Sequence, residues 1–133
     1  MTTHDSTRLL RYSLRANAAF STLSGILFAA KGARIATFLG GVTAADVTSV
    51  GVSLLAFAAG LLWLSRQAPI PEGLVRAVIA ADLAWVVGTG AAVAAGVFSG
   101  PGNTAALLVA DVVLVFAVLQ GLGLRRVHAL AHP

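Results

Sequence analysis

The sequence predicts an all-α integral membrane protein: a four-transmembrane-helix bundle built from two tandem two-helix repeats in parallel orientation. Three observations carry this expectation. Of the 133 residues, 58% are hydrophobic and 11% charged, with a mean hydropathy of +0.90, well beyond the roughly half-apolar make-up of soluble domains. Four apolar stretches approach the about 20 residues that a bilayer-crossing helix needs. The first and third of these also share a spaced pattern of polar and aromatic residues.

The first span is read over 12–30. Arg8, Arg11 and Arg15 precede its apolar run, as in a secretory signal, but a counterpart later in the chain argues for a retained helix. Residues 31–41 are too polar and too short to cross. Ile35, Phe38, Leu39 and Val42 stand at i, i+3, i+4 and i+7 there, which suits an amphipathic helix on the outer surface of the membrane. The second span, 47–65, follows Thr43 and Asp46, spaced as a capping box. Pro69 and Pro71 break the chain, and Glu72 then suits the first turn before a third span at 74–98. The Ser99-Gly100-Pro101-Gly102-Asn103 turn leads into a fourth span at 104–124, for which Asn103 is the expected cap. No long polar linker occurs, so residues 1–133 read as one domain.

Four crossings bring both termini to one side. Arg8, Arg11, Arg15, Arg66, Arg76, Arg125 and Arg126 collect there, with only Lys31 and Arg34 opposite, so the positive-inside rule puts both termini in the cytoplasm of a multi-pass inner-membrane protein. The net charge of +4 therefore orients helices and does not indicate nucleic acid. With no cysteine, disulfides, thiol redox centres and cysteine-held metals are excluded.

The repeat rests on Asn17-x-x-Phe20-x-x-x-Ser24-Gly25 against Asp82-x-x-Trp85-x-x-x-Thr89-Gly90. Leu55, Phe57, Ala58 and Arg66 match Leu114, Phe116, Ala117 and Arg125 in the second and fourth spans. Two spans per unit keep the copies parallel, so Asn17 and Asp82 are expected at equal depth, about 12 Å from the cytoplasmic start of the helix. Within each copy the special residues stand at i, i+3 and i+7, on one helical face. Gly88, Ala92 and Gly96 form a small-residue ladder, with Gly25, Gly51, Gly60, Gly121 and Gly123 as further close-approach positions, and a tightly packed bundle is the expectation.

Asp82 and Asp111 are the acids inside predicted spans. A charged carboxylate there costs at least about 2.5–3.5 kcal/mol, which calls for an explanation. Asp82 is either a proton carrier or ligand anchor facing Asn17 with Trp85 as an aromatic wall, or a clamp hydrogen-bonded to Asn17 or paired with Arg15 or Arg76. Asp111 stands where the first copy has Val52, with Ser53 or Thr48 as candidate partners. Gln120, nine residues further, belongs to the opposite face as a packing contact. The candidate ligand-binding or proton-carrying residues are thus Asn17, Ser24, Asp82, Trp85, Thr89 and Asp111. His4, His128 and His132 lie outside the spans, so neither haem nor another metal site is expected, and no cofactor is predicted.

At Arg15-Ala16-Asn17-Ala18-Ala19-Phe20-Ser21 with Ser24-Gly25, and at Asp82-Leu83-Ala84-Trp85-Val86, the chain resembles small four-helix integral membrane proteins of bacteria that carry no assigned function. In size and layout it is similar to the DoxX-like four-helix group. The resemblance implies a fold but no activity. It does not extend to small multidrug transporters, whose first helix carries a glutamate where Asn17 is the nearest polar residue.

Three functional classes follow. One is an accessory or small apolar-ligand-binding bundle, the favoured reading. The second is a proton-coupled transporter acting as a homodimer through Asp82 and Asp111. The third is a membrane enzyme or lipid-binding protein using a pocket lined by Asn17, Asp82, Trp85 and Thr89. Membrane lipid, a second copy or another membrane protein are the expected partners. The interior discriminates: a filled one favours an accessory role, a wet path between the acids transport, and an apolar pocket with one polar end a lipid or quinone.

Overall fold

The computed structural model describes residues 3–131, with side chains from residue 7. Those residues form five helices: α1 (Thr3–Ala30), α2 (Gly32–Leu39), α3 (Ala44–Ser65), α4 (Glu72–Ala94) and α5 (Gly100–Ala131). Three of them, α3, α4 and α5, are long and apolar enough to cross a membrane. α1, whose arginines and hydroxyl residues dilute its apolar run, reaches that standard only together with α2, across a 94° bend.

Local chemistry explains the boundaries. Thr43 and Asp46 form the expected capping box, each side chain accepting from the other's backbone N–H, at 3.1 Å and 2.9 Å. The third span stops four residues before the expected Phe98. Gly96 has a φ of +74°, its N–H donates to the Val93 carbonyl, and Val97 N–H donates to Ala92, the paired bonds of a Schellman stop. Gly96 therefore ends the helix and is no rung of a packing ladder. α5, the counterpart of the expected fourth span, starts earlier than predicted, because Ser99, not Asn103, is its cap: Ser99 Oγ accepts from Gly102 N–H at 3.0 Å.

Packing follows from small residues. α1 crosses α3 at Gly25 and Gly51, where a Cβ added to Gly51 would sit 2.6 Å from the Ala29 nitrogen and 2.8 Å from the Gly25 carbonyl oxygen. α1 meets α5 where Gly123 lies under Leu10. α4 lies against α5 and meets α3 only sparsely, and among the described residues no Cα of α4 comes within 8 Å of one in α1. The helices thus run in the order α3, α1, α5, α4 around the bundle, with a seam between α3 and α4. The expected tight packing holds for α1 with α3 and fails at Gly88 and Gly90 of α4, where added Cβ atoms would meet nothing within 4 Å.

The two ends differ. Towards the termini Leu10, Leu14, Leu61, Leu64, Val75 and Leu124 form a buried apolar cluster. There Arg11 donates to the Ser65 carbonyl at the end of α3, and Glu72 Oε2 lies 3.0 Å from His128 Nδ1, tying α4 to α5. At the far end Ser99 clasps α2. Its N–H donates to the Leu39 carbonyl at 2.6 Å and its Oγ to the Phe38 carbonyl at 2.8 Å.

Candidate functional site

α1 places Ser21 one helical turn after Asn17, so both side chains project from the same face. Ser21 Oγ donates to Asn17 Oδ1 at 3.2 Å, and Asn17 Nδ2 donates to Asp82 Oδ2 at 2.9 Å. All three residues are buried, Asn17 to 1% exposure and Asp82 to 4%. The last bond joins α1 to α4 across the gap that their backbones leave open.

That gap is a cavity of about 440 Å³, within the range of about 300–1,000 Å³ typical of small-molecule sites. Its polar lining residues are Asn17, Ser21 and Ser24 of α1, Ser49 and Ser53 of α3 and Asp82 of α4. Phe20, Phe28, Leu54 and Phe57, with Val109 and Val113 of α5, make the rest apolar, and the Trp85 indole closes the α4 side. Phe20 is fixed by a tilted contact with Phe116, ring centroids 5.7 Å apart. The Ser53 hydroxyl is turned to the Ser49 carbonyl, whereas the buried Trp85 Nε1 has no hydrogen-bond partner among the described residues.

Of the expected site residues, Asn17, Ser24, Asp82 and Trp85 come together here. Thr89 does not line the cavity. Asp111 is exposed, makes no hydrogen bond or ion pair with a described residue, and meets neither Ser53 nor Thr48. The expected opposition of Asp111 and Gln120 is present: Gln120 is fully buried, with both amide atoms lacking partners among the described residues. Among the described residues Asp82 forms an ion pair with neither Arg15 nor Arg76, and Arg76 lies instead 3.9 Å from Glu72. The residues that sequence reasoning missed are Ser21, Phe28, Ser49 and Phe57. Ser21 and Phe28 were accessible to it, since i+4 from Asn17 and from Ser24 is the same face, but Ser49 and Phe57 depend on how α3 meets α1.

A single hydrogen bond between membrane helices is worth about 0.6–2 kcal/mol, less than the about 2.5–3.5 kcal/mol cost of a charged carboxylate at depth. The Asn17 bond alone thus does not offset that cost. No group of three or more His, Asp or Glu residues that could hold a metal occurs among the described residues.

Comparison of the chain with known protein families, with curated proteins and with solved structures finds no match, so a functional reading rests on this geometry.

Proposed function

We propose that this multi-pass membrane protein holds a small, largely apolar molecule in the cavity between its helices, with Asn17 and Asp82 engaging that molecule's polar end. One observation carries the reading: a cavity of about 440 Å³ walled by aromatic and aliphatic side chains has a buried carboxylate and amide on one side. A bundle whose polar residues only join helices would be packed close to crystal density there.

In this reading the chain crosses four times, α1 included, and α2 lies along the outer surface. The arginines at the α1 start and α5 end keep both termini in the cytoplasm. The meeting of Asn17 with Asp82 supports the tandem duplication, because residues at equivalent positions of parallel repeats share one depth.

Asp111 favours a second copy as partner. Its carboxyl lies on the outer face of α5 among exposed Leu108, Val115 and Val118, where hydrocarbon would offer it nothing and a two-fold-related Asp111 would offer a carboxyl partner. A proton-coupled carrier would need its route from Asp82 to Asp111 to pass through such an interface.

The test is to fill the cavity. Ser53→Phe should leave a monodisperse, helical protein, while the small lipids extracted from it and identified by mass spectrometry lose a species that wild type retains at one per chain. The same extract from both proteins would defeat the binding reading.

A further inference from the structure

The seam between α3 and α4 holds a second cavity, of about 310 Å³, nearer the termini. Its walls are Gly60, Leu61, Trp63 and Leu64 of α3 and Leu74, Ala77 and Val78 of α4, apolar except for the Trp63 indole nitrogen. Phe57 borders both this cavity and the one that contains Asp82. The two spaces therefore lie end to end along the one seam that the helices do not close. From Phe57 to Leu64 the lower space follows α3 for about 10 Å.

We propose that the two cavities form one slot for a single-chain lipid, its oxygen-bearing, uncharged head beside Asp82, Asn17 and Trp85 and its hydrocarbon tail past Phe57 toward Leu64 and Leu74. This deepens the binding reading above and rests on it. The head is assigned by the polar groups: the indole N–H of Trp85 lacks an acceptor, which a carbonyl or hydroxyl oxygen supplies, and the Asp82 carboxyl disfavours an anion. The tail is assigned by the almost wholly apolar lower space and its continuity with the upper one through Phe57. The volume of the lower space, about 310 Å³, suits a single hydrocarbon chain. Access is lateral, from the bilayer, because the seam is the side of the bundle where α3 and α4 stand apart. Phe57 is then the residue that divides head from tail.

Tail binding exchanges lipid contacts for protein contacts and has no hydrophobic drive of its own, so selectivity for chain length depends on the slot's shape. Gly60 is the place to block it, since an added Cβ there meets nothing within 4 Å. Ala77, exposed on the opposite wall, offers a second block.

The experiment uses the full chain in phosphatidylcholine nanodiscs with Trp63→Phe, which leaves Trp85 as the only indole and keeps an aromatic ring in the wall of the lower space. The probes are 1,4-benzoquinones with methyl, butyl or decyl side chains, read by quenching of Trp85 and expressed per mole fraction in the bilayer. The expected result is saturable quenching by all three, tightening several-fold from methyl to decyl, with Gly60→Leu and Ala77→Leu erasing the gain while leaving methyl binding unchanged. Saturable quenching with no dependence on chain length, or a dependence that both blocks leave intact, overturns the slot and leaves the head site standing. No saturable quenching by any probe overturns both. Loss of a dimer on Gly60→Leu without a chain-length effect assigns the seam to a second copy and likewise overturns the proposal.

Discussion

Asn17 Nδ2 donates a 2.9 Å hydrogen bond to Asp82 Oδ2, and this bond spans two helices whose described Cα atoms stay more than 8 Å apart. In a bundle held by close backbone approach, a polar pair would follow from contact between its helices. Here the pair bridges a gap, so the same two side chains both limit the cavity and supply its polar end.

Asp82→Asn keeps a donor and an acceptor for Asn17. The variant should express, stay monodisperse and unfold in denaturing detergent within about 1 kcal/mol of wild type, while its retention of the co-purifying molecule falls. Wild-type retention in a folded Asn variant would reduce Asp82 to a clamp.

Gly51→Val should be among the most damaging single changes in the chain. Any Cβ at Gly51 intrudes on the backbone of α1 at Gly25 and Ala29, and large steric errors in packed interfaces cost about 1–3 kcal/mol or more. Gly88→Val, at a position where nothing lies within 4 Å, should be tolerated. Thermal aggregation midpoints of the two in the same detergent provide the check, and equal losses would place the tight crossing elsewhere.

The clasp at the far end offers a third comparison. Ser99→Ala removes both the α5 cap and the bond to the Phe38 carbonyl, with an expected loss of about 0.5–2 kcal/mol for the cap alone. Gly41→Ala should cost more. Its φ is +70°, and a Cβ there would collide with the Val97 carbonyl. Hydrogen exchange of α2 amides should speed up in both variants.

Asp111→Leu tests the second copy. If the outer face of α5 is a two-fold interface, the variant should shift toward monomer in sedimentation velocity while keeping its secondary structure. An unchanged sedimentation profile would free Asp111 from that role.

Much of the helix layout was legible in the apolar runs and their breakers, and the Asn17–Asp82 encounter was legible in the repeated spacing of polar residues. The end of α4 was not, because Gly96 fits a small-residue ladder and a left-handed helix stop equally well until the carbonyls of Ala92 and Val93 are seen to need donors. The outward face of Asp111 follows from helical phase only once Gln120 is known to be buried. The cavity itself leaves no local signature. It arises because α4 rests on α5 and stands off from α1, a tertiary outcome that Phe57, Val109 and Ser49 do not announce individually.

The central claim is that the space beside Asp82 is a ligand site within the membrane. A crystal structure from a lipidic mesophase tests it most directly. The account predicts continuous density beside Asp82 and Trp85, with α1 and α4 still bridged by Asn17. Helices closed together until side chains fill the space, with Asp82 satisfied wholly by protein groups, would contradict it.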